Sequence, residues 1–339
     1  MARLRRGRVL VRHVRGGGRG VRERSLDGFA ERGLRSAQLV PAGAARARQA
    51  AGCRASGAAA EQHQRGAVVD GGRATGPLRA LSRDAAHHSD RADPDRVTRV
   101  RFIGSGDSFG NGGRFQTCIL VDSDAYRFLV DCGATSLVAL KRADVDPGSI
   151  DAVLLTHFHG DHCGGVPYLI LDGQFTKRER PLVIAGPPGV RERMNAIFEA
   201  ALPTSSRTGQ RFGLTYVELG EKATRIGPIE AVALPVAHLA DTLPHGLRVR
   251  AGGRIVAYTG DTDWCDALPR LADGADLFIA EAYSFEKRIP LHLSHATLLA
   301  HRDELRAKRT VLTHAGAETL ARATELAWTL AVDGTDIEI

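Results

Sequence analysis

Aromatic residues are scarce in this chain: they make up 5% of its 339 residues, and Trp and Met occur twice each. Any core must therefore be mainly aliphatic, and 43% hydrophobic residues over this length suffice for one large domain or two average ones. No apolar run approaches the roughly 18 residues of a membrane span, so no membrane partner is expected. The five cysteines, Cys53, Cys118, Cys132, Cys163 and Cys265, are odd in number and form no CxxC pair. That excludes a disulfide framework and fits free thiols in a reducing, cytoplasmic setting. Lysine is missing altogether from residues 1–96, which hold 20 Arg and 9 acidic residues and carry +11. The remaining residues hold 26 basic and 30 acidic side chains, so the net +7 of the chain hides a main part at −4. The basic balance thus gives no support to nucleic-acid binding by that part.

Residues 1–96 form a low-complexity stretch rich in Arg, Ala and Gly. Such a composition buries too little apolar surface to offset chain entropy, so disorder is expected. Arg5-Arg6 is not followed by an apolar stretch, because Arg12 and Arg15 interrupt it, which argues against an export signal. The abrupt change of composition is also what a translation start placed too far upstream would produce. On that reading the extension is artefactual and the natural start lies near Val97. A single folded domain is expected over residues 97–339.

Within that domain, short β-branched and leucine-rich runs predict strands at 100–103, 117–121, 127–130, 152–155, 181–185, 215–219, 229–235, 247–249, 254–258, 277–280, 310–313 and 336–339. Helices are predicted at 136–143, 166–175, 190–202, 294–306 and 317–331. The strand at 152–155 runs straight into Thr156-His157-Phe158-His159-Gly160-Asp161-His162-Cys163. His157 and His159 are two apart, so on an extended backbone their imidazoles leave from one side and can grip one ion. Gly160 then lets the chain turn and aim Asp161 and His162 elsewhere. Imidazoles with a carboxylate suit zinc, with iron and manganese as alternatives. Four times an apolar strand is followed by a metal-competent residue: His157, His238, Asp261 and His314. Side chains at strand ends on one rim can converge, and four of ligand type make a metal site the expectation. The glycine-rich loop 104–113 lacks the Walker lysine and the Rossmann spacing, so it is expected to be a tight turn beside that site.

Residues 97–339 resemble the metallo-β-lactamase superfamily. The resemblance rests on the HxHxDH signature at His157, His159, Asp161 and His162, on His238, on Asp261 in Thr-Gly-Asp-Thr, and on His314 in Leu-Thr-His. It implies an α/β fold, the αβ/βα four-layer sandwich, with two divalent metal ions at one edge, zinc foremost and Mn²⁺ or Fe²⁺ as alternatives. By the same resemblance His157, His159 and His238 hold one metal, Asp161, His162 and His314 the other, and Asp261 bridges them. The Thr-His-Phe-His-Gly-Asp-His run, Asp261 where true β-lactamases offer cysteine, and Leu291-His292-Leu293-Ser294 point to the RNase Z and phosphodiesterase branch. The last motif resembles a Gly-His-Leu/Ser-Thr box with a catalytic, non-ligand histidine, here His292, although Leu291 replaces the glycine. RNase Z enzymes that mature tRNA carry a long arm before the bridging aspartate, whereas only 22 residues separate His238 from Asp261. The resemblance therefore implies a small or cyclic phosphodiester as substrate and disfavours tRNA, and it allows a homodimer.

In the chemistry expected, the metal pair activates water, Asp161 orients it and His292 protonates the leaving oxygen. Glu281 is expected to hold the far nitrogen of a histidine, the alternative being a solvated loop carboxylate. His245 is weighed as a pocket residue against simple exposure. Cys163 is expected to pack behind the metal loop, and His295 and His301 to lie on a solvated helix face. The competing readings are hydrolysis of a lactone, thioester or lactam, RNase Z-type RNA processing, and a non-enzymatic RNA-associated role for the arginine-rich segment.

Overall fold

Continuous apolar runs such as 119–121 and 128–130 put apolar side chains on both faces of the central strands, and only a sheet buried from both sides accommodates them. In a computed structural model of the chain, which describes residues 97–123 and 126–339, two such sheets face each other. The arginine-rich segment 1–96, and the reading of it as disordered, lie outside the described residues. The strands are β1 (Thr98–Gly104), β2 (Cys118–Ser123), β3 (Tyr126–Val130), β4 (Ala152–Leu154), β5 (Leu182–Gly186) and β6 (Leu214–Glu218), then β7 (Thr224–Ile226), β8 (Ile229–Pro235), β9 (His245–Ala251), β10 (Arg254–Tyr258), β11 (Leu277–Glu281), β12 (Thr310–Thr313), β13 (Thr329–Leu330) and β14 (Asp336–Glu338). One sheet has the order β14-β1-β2-β3-β4-β5-β6 and the other β13-β12-β11-β10-β9-β8-β7.

The alternation sorts the core into three layers. Phe102, Ile119, Val121, Phe128, Val130 and Leu154 point between the sheets, against Leu247, Val249, Val256, Ile279 and Val311. Their neighbours Leu120, Leu129, Val153 and Ile184 point outward, onto residues of the helices Ser136–Arg142, Val166–Phe175 and Val190–Ala201. Ala257, Phe278, Ala280 and Leu312 do the same on the far side, under the helices Ala267–Ala272 and His295–Ala300. Helix, sheet, sheet, helix is the four-layer sandwich that the resemblance implied. The helix Val190–Ala201 buries Val190, Met194 and Phe198, an i, i+4, i+8 stripe. Ala201, which ends the helix, is exposed. Among the described residues no helix is long and apolar enough to cross a membrane.

Two predicted helices are shorter than expected. The one predicted over 294–306 ends at Ala300, and a single 3-10 turn follows at Arg302–Glu304. The one predicted over 317–331 is confined to Ala317–Ala321. Beyond it, the Ala327 N–H donates to His295 Nε2 at 3.0 Å, and Thr329–Leu330 pairs in parallel with β12. A sheet edge and a side-chain acceptor there offer the backbone better partners than the helix would, so tertiary pairing overrides propensity. The same bond corrects the reading of His295, which is 4% exposed rather than on a solvated face. His301 is half-buried, stacked on Trp264 at 3.9 Å and bonded to Glu304.

Strand direction fixes where function can sit. β3 to β6 run parallel, as do β10 to β13, and β8 is antiparallel to β9, which is antiparallel to β10. In each sheet, then, the strands that matter deliver their carboxyl ends to a common edge. That is where α/β sheets gather ligand-binding loops.

Candidate metal centre

Each functional side chain stands at or just past such a strand end. Asp131 follows β3, His157 lies three residues beyond β4, His238 three beyond β8 and Asp261 three beyond β10. Glu281 closes β11, which runs one residue further than the sequence suggested, and His314 follows β12. The loop after β4 is extended at His159 and turns into the short helix Gly160–Cys163, which separates His157 and His159 from Asp161 and His162.

The seven expected ligand side chains converge. His157, His159, His238 and Asp261 offer ligand atoms that all lie within 4.8 Å of one another, and so do Asp161, His162, Asp261 and His314. These two groups share Asp261, which is the partition the resemblance implied. A third group, Glu281, His292 and His314, adjoins them. The side chain of His245 is in none of the three; its Nδ1–H donates to the Leu243 carbonyl at 2.7 Å.

Hydrogen bonds fix the tautomers so that bare nitrogens face inward. His162 Nδ1 lies 2.7 Å from Asp131 Oδ2, and His238 Nδ1 lies 2.8 Å from the Leu291 carbonyl. Both partners only accept, so both Nδ1 atoms carry a proton, and in the neutral ring, the form that binds a metal, Nε2 has the lone pair. Thr156 Oγ1 donates its one proton to Asp131 and so accepts from His157 Nδ1 at 3.0 Å, leaving His157 Nε2 free in the same way. Facing these atoms, His159 Nδ1 is 3.1 Å from His157 Nε2 and 3.2 Å from His238 Nε2. One proton on His159 satisfies only one of the two. In the second group His162 Nε2 and His314 Nε2 are 3.3 Å apart, and the fully buried Asp261 Oδ1 has no hydrogen-bond partner. Converging lone pairs and an orphaned carboxylate oxygen are the donor set that a divalent cation satisfies, so these residues fit a metal.

Charge follows the same division. Burial pushes His157, His159 and His238 down, towards neutral imidazoles. Burial also resists charging of His162, but Asp261, Asp161 and Asp131 outweigh it and raise the ring well above its usual range. Against the same resistance, Asp261 and Asp161 lift His314 to about 9. Asp161 and Asp261 are in turn held far below the usual carboxylate range despite burial, by His162 and His314.

Three supporting groups escaped the sequence reading. Asp131 is fully buried, has a left-handed backbone at φ +60, and takes hydrogen bonds from Thr156 N–H, Thr156 Oγ1 and His162. It stands at a strand end like the expected ligands, and that rule could have singled it out. Ser108, in the glycine-rich loop, donates to Asp161 Oδ2 at 2.6 Å. The carbonyl of Leu291 holds His238. No sequence signal marks either of these, because both contacts join distant segments. Glu281 is buried rather than solvated: Oε2 lies 2.9 Å from His292 Nδ1, and Oε1 accepts from the Thr262 N–H. Burial resists a charge on His292, but the Glu281 hydrogen bond prevails and raises its pKa. Cys163 packs in the outer core under the helices, and burial pushes its thiol to about 12, an inert group.

The family description "Anti-Pycsar protein Apyc1" matches residues 98–328. Ribonuclease Z of Mycobacterium tuberculosis is 33% identical over 192 residues, covering 54% of this chain and 68% of that protein. Ribonuclease Z of Methanothermobacter thermautotrophicus is 28% identical over 267 residues, covering 64% of this chain and 86% of that one. Among solved structures, a diphosphatase of the PhnP family superposes with a TM-score of 0.59 at 20% identity, over 71% of this chain and 98% of its own. The short form of human tRNase Z superposes at 0.58 and 23%, over 70% and 98%. Fold, converging donors and relatives agree: the chain belongs to the metallo-β-lactamase superfamily, in its RNase Z and phosphodiesterase branch, and to the anti-Pycsar protein Apyc1 family, and it is a metal-dependent hydrolase of that fold.

Proposed function

We propose that the protein is a phosphodiesterase for small or cyclic phosphodiesters, with two divalent ions, zinc foremost, held by the seven converging residues. His157, His159 and His238 would hold one ion and Asp161, His162 and His314 the other, with Asp261 within reach of both sets. Ions bound there supply water with a pKa lowered towards about 7 and offset charge gathering on the phosphoryl oxygens. Asp161, pinned by Ser108, orients the attacking water. His292 gives its proton to the departing oxygen and is recharged against Glu281.

The observation that carries this reading is the Glu281–His292 pair, at 2.9 Å. An imidazole backed by a buried carboxylate stands beside the ligand set, its ring 4.9 Å from that of His238. Ester cleavage at phosphorus expels an alkoxide, which needs such an acid. A small substrate is supported by the interval between His238 and Asp261. It is filled by a 3-10 turn at Ala240–Thr242 and the β9–β10 hairpin, with no arm of the kind that binds tRNA.

Purified protein supplied with Zn²⁺ or Mn²⁺ is expected to hydrolyse bis(p-nitrophenyl) phosphate, and a panel of cyclic nucleotides and cyclic phosphates then ranks the natural substrate class. No turnover of any diester, alongside rapid lactone or thioester hydrolysis, reverses the assignment. Asp131→Asn is a sharper probe of the scaffold. It keeps the shape but weakens the acceptor that fixes the His162 tautomer, so metal affinity is expected to fall about 10–100-fold. Chelator competition measures this; unchanged affinity would show that Thr156 and packing alone hold the ring.

A further inference from the structure

Leu291 is the residue that departs from the glycine of the Gly-His-Leu/Ser-Thr box, and its backbone explains why glycine suits that place. Its φ is +69, the left-handed region that residues with a β-carbon adopt at a cost. The conformation is held because the Leu291 carbonyl accepts from His238 Nδ1 on one side, while the next residue, His292, is tied to Glu281. Glycine would adopt this backbone freely and keep the same carbonyl. What Leu291 adds over glycine is therefore its side chain alone, and that side chain is 38% exposed.

It does not stand alone. Leu239, next to His238, is 47% exposed, and Phe109, next to the Ser108 that holds Asp161, is 80% exposed. Leu243 follows Thr242, whose carbonyl takes the Phe158 N–H. Of ten exposed large apolar side chains among the described residues, four thus adjoin residues bound into the site, and Leu239 and Leu291 stand at the two ends of one hydrogen bond, from His238 Nδ1 to the Leu291 carbonyl at 2.8 Å. The ligand set itself is all imidazole and carboxylate, and the Tyr283 ring lies beside it, 4.9 Å from that of His292.

We propose that Leu291 is a specificity-determining residue: with Leu239 it forms an apolar wall that receives a flat, aromatic ester group on the phosphate, opposite the leaving group. The assignment rests on the phosphodiesterase reading above. It predicts that the protein distinguishes diesters by the group that stays, not by the group that leaves.

Two substrates with one leaving group test this: bis(p-nitrophenyl) phosphate and methyl p-nitrophenyl phosphate. The wild type is expected to show the lower KM for the bis-aryl ester. Leu291→Gly raises that KM roughly 5–20-fold relative to the methyl ester's KM in the same variant, the effect of some tens of Å² of apolar contact. Its Tm is unchanged or higher, because the backbone strain is gone. Leu239→Ser, on unstrained backbone, gives the same split and guards against misfolding of the first variant. The proposal is overturned if both esters respond in parallel, if neither responds, or if sedimentation shows that Leu291→Gly dissociates an oligomer, which would make the wall a contact between copies. A wild type that turns over both esters with equal KM sinks the wall alone. One that turns over neither ester sinks the phosphodiesterase reading and the wall with it.

Discussion

His159→Ala is expected to yield folded protein that purifies without bound metal and without diester turnover. The His159 ring is half-buried at the site's opening, so its removal disturbs little packing. Its Nδ1, however, is the atom that faces both His157 Nε2 and His238 Nε2, at 3.1 and 3.2 Å. Without it the first group keeps only two imidazoles of its own, because its third donor, Asp261, is shared with the second group, so the ion is held too weakly to survive purification. Turnover should fall by more than about 10⁴-fold, because water with a pKa near 15.7 replaces water near 7 as the source of nucleophile. Metal analysis, circular dichroism and diester kinetics on one preparation check this. Retained metal with lost activity would remove His159 from the ligand set and make it a proton carrier.

His292→Ala is expected to show the converse: full metal content with lost turnover. Its Nδ1 is engaged by Glu281 at 2.9 Å and stands 4.0 Å from Asp261 Oδ2. General-acid catalysis contributes about 10²–10⁴-fold, and that loss should appear in kcat for diesters that expel an alkoxide. It should shrink towards nothing for p-nitrophenyl esters, whose phenolate departs without a proton. The contrast between leaving groups separates a proton donor from a residue that merely shapes the pocket. If the variant also loses metal, His292 is a ligand and the third cluster, with Glu281 and His314, is a site in its own right.

Local residue pattern carried a large share of this architecture. Runs such as 119–121 and 128–130 are apolar at every position, and only a sheet covered on both faces can bury all of them. Strand ends could be read because the apolar run stops one to three residues before the metal-competent residue, at His157, Asp261 and His314. The final helix misled because 317–331 is a good helical sequence judged alone; the open edge of β12 and the His295 acceptor claimed its second half. His295 misled for the same reason, since a polar residue in a short helix counts as solvated until something packs over it.

What the sequence determined by itself was which side chains are of ligand type and stand at strand ends, because both are written in neighbouring positions; their two sets and the four-layer scaffold were what the resemblance implied. Only the tertiary structure decided how that chemistry is aimed. The tautomers set by Asp131, Thr156 and the Leu291 carbonyl, and the burial of Glu281 behind His292, depend on contacts between segments apart in the chain. Such contacts depend on how two sheets and their loops meet, and no local pattern of residues records that meeting.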